Sequence, residues 1–440
     1  MTAGVGSRLP WRLRAPWRRL RALLRHEYWR MRFAFWMGAA LIGIGAAALA
    51  EMATLATHAL TTLQRHWMWA PFFISPVGLV TSLWLTRRFF PGSQGSGIPQ
   101  VIAAMHESQP DTSRLVSLRI AIGKIFLTGL SLFSGASIGR EGPTVHVGAS
   151  MAAVAGRLSG IRNRHTLERT LVMAGGAAGI AAAFNTPIAG FMFAIEELAR
   201  GFEERDSGIL IVTVLISGLT ATVLEGNYTY LGIVHTALTG RQWVLIPACA
   251  LIGGAAGGLF SRLLLDISGH LQMQTRARPY GVVIGLAFVI AALGTLAHGT
   301  TYGTGYSEAR SLVHNTMHYP WWFPMARWLG NLASYLCGVP GGLFAPALAT
   351  GAGIGADLGR LLPYGPLPAA VILGMAGYLS GVVQTPLTAF IIVAEITGNR
   401  DMLIPLIATS FLAYLVSRLI CREPVYQALA VRLLGPAPPA

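Results

Sequence analysis

The segment Ser137-Ile-Gly-Arg-Glu-Gly-Pro-Thr-Val-His-Val-Gly148 sets an Arg140-Glu141 pair between two glycines and a proline, inside an otherwise apolar neighbourhood. Gly139 and Gly142 leave the backbone free for a tight, non-helical approach. Pro143 is pre-set for the first turn of a helix that runs on through Val147 and Met151. The first amides of such a helix have no intrahelical acceptor and its dipole is positive at that end. An anion, or the carboxylate of Glu141 itself, is held there.

The loop occurs twice. Gly139-Arg-Glu-Gly-Pro143 aligns with Gly342-Leu-Phe-Ala-Pro346 at an offset of 203, which also matches Gly148 with Gly351 and Gly156-Arg-Leu158 with Gly359-Arg-Leu361. A second block agrees at an offset of 199: Thr186-Pro-Ile-Ala-Gly-Phe191 matches Thr385-Pro-Leu-Thr-Ala-Phe390, Gly175 matches Gly374, and Glu196 matches Glu395. The two halves descend from one unit. In the second copy Leu343 and Phe344 replace Arg140 and Glu141, so that loop offers an anion only backbone N–H groups.

Of the 440 residues, 53% are hydrophobic and 12% charged, a balance that belongs in a bilayer rather than on a water-facing surface. Apolar runs at about 33–60, 70–87, 120–136, 171–199, 207–225, 243–266, 281–298, 328–338, 367–383, 387–397 and 402–420 have spanning or half-spanning length, several of them interrupted by Gly and Pro. Broken segments at matching places in two halves point to a transport site near the midplane. The expectation is an all-α, polytopic membrane protein with an inverted repeat and broken helices. Its parts are a basic arm over 1–32, a first membrane half over 33–226, and a second half with a C-terminal helix over 227–440, the halves joined by a linker around 225–241.

The formal net charge of +15 is not laid out as a nucleic-acid-binding face with interleaved aromatics, and no nucleic acid is expected as a partner. Arg8, Arg12, Arg14, Arg18, Arg19, Arg21, Arg25, Arg30 and Arg32 instead precede the first apolar run and face one acid, Glu27. By the positive-inside rule they put the N-terminus in the cytoplasm. An Arg-rich, acid-poor arm also resembles a transit peptide, but Trp11, Trp17, Tyr28 and Trp29 among the arginines favour an interfacial anchor. Cys249, Cys337 and Cys421 stand alone as packing residues, and the eleven histidines form no ligand array, so neither metal nor cofactor is expected.

Pro91-Gly-Ser-Gln-Gly-Ser-Gly-Ile-Pro99 is a second Gly-rich loop that opens a helix. There Ser96 either presents its hydroxyl to something approaching the backbone or sits in an ordinary surface turn. Lys124, the only lysine, lies in an apolar stretch, as a functional residue or as a source of positive potential along a pathway. Glu196 and Glu197 point about 100° apart on a helix and cannot share one environment. Glu196, matched by Glu395, suits a cap or an arginine pair. Glu197, matched by Ile396, is private to the first half and is a candidate for proton handling. Near the end, Pro424 restarts a helix with Tyr426 in its first turn, a place usually taken by an interfacial belt residue.

Taken in order, Gly95-Ser-Gly-Ile-Pro99, Gly139-Arg-Glu-Gly-Pro143, Gly342-Leu-Phe-Ala-Pro346 and Tyr426 resemble the CLC family of chloride channels and chloride/proton exchangers, over about the whole chain. The resemblance implies a homodimer in the bacterial cell membrane, in contact with lipid, with one pathway per subunit for chloride ions and, in exchangers, protons. It implies that Ser96 and Tyr426 are side-chain ligands of a central chloride, completed by the backbone amides of Leu343 and Phe344. Glu141 resembles the gating glutamate and Glu197 the inner proton-transfer glutamate of the exchanger branch. Ser96 is similar to the chloride-preferring form of its loop, whereas Gln100 and Ile102 stand where many bacterial relatives carry acids. Amides and hydroxyls suit such a pathway, because a full cation would hold the ion too tightly to release it.

The resemblance therefore implies chloride/proton antiport, with a passive chloride channel on the same scaffold as the alternative. Glu197 favours exchange, since a buried acid is costly to retain. An intramembrane enzyme using Glu141 is not expected, for want of a partner nucleophile or metal cluster. A fluoride exporter is disfavoured by Ser96 and the Gly-Arg-Glu-Gly-Pro loop.

Overall fold

The computed structural model describes residues 26–106, 114–158, 165–199, 207–226, 229–274, 279–362 and 365–434. The basic arm up to Arg25 lies outside the described residues. Among the described residues the regular structure is helical, and the extended pairing consists of two isolated backbone bridges. The first half contains α1 (His26–His66), α2 (Ala70–Phe89), α3 (Ile98–His106), α4 (Leu118–Phe133), α5 (Glu141–Leu158), α6 (His165–Phe184), α7 (Pro187–Phe193) and α8 (Ser207–Glu225). The second contains α9 (Leu245–Gln274), α10 (Pro279–Leu296), α11 (Tyr306–Val313), α12 (Phe323–Leu336), α13 (Phe344–Leu361), α14 (Leu367–Val383), α15 (Pro386–Thr397), α16 (Leu403–Ile420) and α17 (Val425–Leu434).

Among the described residues three segments, Trp36–His66, Gly240–Leu271 and Leu403–Ile420, are long and apolar enough to cross a bilayer. Many others stop part-way, and the causes are local. The apolar run 171–199 is divided where Asn185 enters the left-handed region (φ 55°); the run around 367–397 is divided at the matching Gln384 (φ 58°). A left-handed residue ends a helix, and the Thr-Pro that follows each one starts the next, with proline at the first helical positions of α7 and α15.

The repeat seen in sequence is a repeat of packing. In the first half α5 crosses α6 with Gly148 against Gly175; in the second α13 crosses α14 with Gly351 against Gly374. A Cβ on any of the four would run into the facing backbone carbonyl, so only glycine lets the axes come this close. The halves also hold each other. The carboxylate of Glu196 accepts from the amides of Leu387 (3.0 Å) and Thr388 (2.6 Å) in the first turn of α15. That of Glu395 accepts from Ile188 (3.3 Å) and Ala189 (2.6 Å) in the first turn of α7. Each acid caps the other half's helix, as a two-fold pseudo-axis requires. The expected linker is non-helical over 229–239 but not loose: Leu231 donates to the carbonyl of Ile396 (2.9 Å) and Val234 to that of Thr397 (3.0 Å), laying it over the end of α15. The three cysteines are free and buried, in keeping with packing.

Candidate functional site

Three loops, far apart in sequence, are laced together by backbone hydrogen bonds. Gly139 and Gly342 exchange a reciprocal pair of 2.8 Å, which makes the two repeated loops antiparallel partners. Gly95 donates to Val339 (3.2 Å) and accepts from Gly341 (3.0 Å), which adds the Ser96 loop to the same junction. The sequence reading gave Gly139 and Gly142 the task of freeing the backbone, and the structure corrects it. Gly142 lies inside α5, neither residue takes a positive φ, and what glycine provides is room. A Cβ on Gly142 would collide with the Ser96 hydroxyl, and one on Gly139 with the Glu141 carboxylate. Conformational freedom matters instead at Gly97 (φ 97°), whose Cβ would also strike His146.

At this junction Glu141 begins α5 and is fully buried. Its Oε2 accepts from the amide of Ala345 (3.3 Å) in the first turn of α13, while its Oε1 has no hydrogen-bond partner. The first helix thus sends its carboxylate to the positive end of its repeat partner. Leu343 is the N-cap of α13 and Phe344 its first residue, both fully buried, and first-turn amides find no acceptor within their own helix. The hydroxyls of Ser96 and Tyr426 are neighbours, each wholly buried and each without a hydrogen bond of sound geometry. Tyr426, which its place near the chain end would suggest as an interfacial tyrosine, is walled in and stacks on the Phe344 ring (centroids 6.1 Å apart). Phe344 in turn meets Phe193 (6.0 Å) and Phe184 (6.4 Å) edge-on. The result is a buried, aromatic-walled point at which two hydroxyls and a helix N-terminus converge, with a carboxylate on the adjoining helix end.

Two cavities approach this point. One, of about 1250 Å³, is lined by Arg140, Tyr230, Tyr306 and Thr295; the other, of about 460 Å³, by Gln94, Gly95, Tyr335 and Val282. Helix α10 contributes Val282 to the second and Thr295 to the first, thirteen residues on, so they lie about 20 Å apart along that helix at about 1.5 Å per residue. Arg140 and Gly95 each line a cavity. The Glu141, Ser96 and Tyr426 side chains stand buried between them.

Glu197 lies in a single π-helical turn, Ala194–Ala199, that continues α7, and is 2% exposed. The expected divergence from Glu196 is found: one acid caps a helix, the other is directed into the protein. Lys124 does not reach into the site. Its buried ammonium donates to the carbonyls of Ser93 (2.8 Å), Gln94 (3.4 Å) and Gly95 (2.7 Å), so it braces the Ser96 loop. Gln100 braces the same loop through the carbonyls of Gly92 (3.3 Å) and Gln94 (2.6 Å). Ile102 is a core residue at 2% exposure. Sequence reasoning missed Gln427, whose side-chain amide donates to the Glu197 carbonyl (2.9 Å), and Tyr230, over whose ring the Arg140 guanidinium lies at 5.8 Å. Neither carries a sequence signal, because each acts on a residue from a distant part of the chain.

The model of the voltage gated chloride channel family matches residues 77–418. The chain belongs to this family. Its fold is that of solved CLC proteins. A slow cyanobacterial Cl-/H+ antiporter superposes with a TM-score of 0.80 at 24% identity, over 92% of this chain and 98% of that one. A CLC-type fluoride/proton antiporter follows at 0.76 and 21%, over 90% and 97%, and a eukaryotic CLC transporter at 0.74 and 20%, over 91% and 74%. At these identities the likeness speaks for the fold, and family membership for the class of protein.

Proposed function

We propose that the protein is a chloride/proton antiporter, with the anion passing between the two cavities through the point where Ser96, Tyr426 and the amides of Leu343 and Phe344 converge. The observation that carries this reading is the buried Glu141 carboxylate seated on the first turn of α13. An ionised carboxylate and a chloride would compete for the same positive helix end. Protonation removes that competitor and frees the place for the anion, which links one proton to the passage of chloride. Glu197, buried in the π-helical turn Ala194–Ala199, supplies a second proton-bearing group without standing among the anion's ligands. Hydroxyls and amides around the central position, with the Lys124 ammonium engaged by three carbonyls, give weak ligands suited to turnover. Chloride rather than fluoride is favoured by Ser96 and the Gly-Arg-Glu-Gly-Pro loop.

The expected setting is a bacterial cell membrane with the arginine-rich N-terminus in the cytoplasm, which would make the smaller cavity cytoplasmic. Assembly as a homodimer is part of the same proposal; the exposed apolar residues of α8 and α16, such as Val223 and Leu419, suit either a second subunit or lipid. The test is a flux measurement on reconstituted protein with a pH electrode. Chloride driven down its gradient should pull protons uphill, whereas chloride flux with no pH change would make the protein a passive channel.

A further inference from the structure

The exchange reading needs the acid that loads protons, Glu197, to stay in register with the anion site, although the two lie on different parts of the chain. Glu197 is carried by a π-helical turn of six residues. Such turns are uncommon and recur at functional sites, and the carbonyls in the last turn of a helix have no donor within it. The carbonyl of Glu197 has an outside donor in Gln427, whose Nε2 donates to it at 2.9 Å. Gln427 directly follows Tyr426 on α17. Of two consecutive residues on one short helix, one presents its hydroxyl beside Ser96 and the other grips the backbone that carries Glu197.

We infer that Gln427 is a positioning residue that locks the π-turn of Glu197 to the Tyr426 end of the anion site, and so ties proton loading to anion occupancy. The inference rests on the antiport reading. The geometry favours this role over plain packing for two reasons. Tyr426 is wholly buried and stacked on Phe344, so α17 is seated at this end by an aromatic contact that does not need Gln427. Moreover the bond ends on the main chain of the very residue whose carboxylate direction matters; a change of a few tenths of an ångström there re-aims the acid. A glutamine also fits because its amide donates at every pH and does not itself titrate, so the tether holds while Glu197 gains and loses its proton.

The test uses full-length protein in liposomes, with chloride and proton fluxes measured together for wild type, Gln427→Met, Glu197→Gln and the double variant. Methionine keeps length and packing and removes the amide group. Gln427→Met should carry chloride within about twofold of wild type, with a proton-to-chloride ratio several-fold lower, whatever small fall in melting temperature the orphaned Glu197 carbonyl causes. In the Glu197→Gln background it should change nothing further, because the group it positions is already gone. A wild-type ratio in Gln427→Met would overturn the inference and leave antiport standing. Parallel loss of both fluxes with a lower melting temperature would overturn it too, by showing a purely structural bond. Wild-type protein that moves no protons would instead sink the antiport reading, and the inference with it.

Discussion

Glu141 shows how a residue's neighbours decide what its chemistry can do. Its carboxylate accepts from the Ala345 amide at the start of the opposite repeat, in a place where a chloride would find the same partial positive charge. Glu141→Gln keeps the size and removes the titrating group. Chloride flux should persist without its dependence on pH and proton movement should cease, as read by simultaneous chloride and pH electrodes; uphill proton pumping by the variant would remove Glu141 from the proton path. Lys124 is the opposite case, a charge with no direct part in the site. Of its three carbonyl partners, those of Gln94 and Gly95 keep a second donor in Gln100 and Gly341, so removing the ammonium orphans the Ser93 carbonyl, at a cost of about 1–3 kcal/mol. Lys124→Met should relax the loop and weaken chloride binding by at least about tenfold in calorimetry, which corresponds to about 1.4 kcal/mol. An unchanged affinity would mean that Gln100 and the glycine bridges hold Ser96 alone.

At the scale of elements, the short helices are held by caps that cross the pseudo-symmetry. α7 has seven residues and α15 twelve, and each receives the carboxylate of an acid from the other half on its first-turn amides. A helix so short gains little from propagation and depends on its ends and on packing. Glu395→Ala should lower the detergent melting temperature to an extent corresponding to about 1.5–3 kcal/mol, the range for hydrogen bonds to charged groups. Glu196→Ala should do the same from the other side. If either change left the melting temperature untouched, packing alone would hold the helix ends. Glu196 and Glu395 were legible as a pair because they recur at a fixed offset in sequence; that each caps the opposite half was not, since a repeat offset is silent about which copy a side chain reaches.

Over the whole molecule, the two cavities and the buried junction between them make a two-sided arrangement. Thr304 lines the larger cavity and Gln94 the smaller. In a protein whose own three cysteines are replaced by alanine, Thr304→Cys should react with an impermeant thiol reagent applied from one side of sealed vesicles and Gln94→Cys only from the other. Labelling of both from one side would mean that the cavities share a face and that the helix-length separation along α10 has been misjudged.

Composition and periodicity determined the membrane setting, the helical class, the duplication and three of the loops that meet at the junction. These are properties of short stretches: hydropathy over about twenty residues, proline at a helix start, a charged pair between glycines, a motif recurring at constant offset. Tertiary structure alone decided that Gly142 is needed for room beside Ser96 rather than for backbone freedom, that Lys124 grips carbonyls rather than facing the path, that Arg140 lies over Tyr230, and that Gln427 reaches the Glu197 main chain. The reason is physical. Each of these is a contact between groups tens to hundreds of residues apart, and a hydrogen bond or ring contact depends on distance and angle in space, which no local pattern encodes.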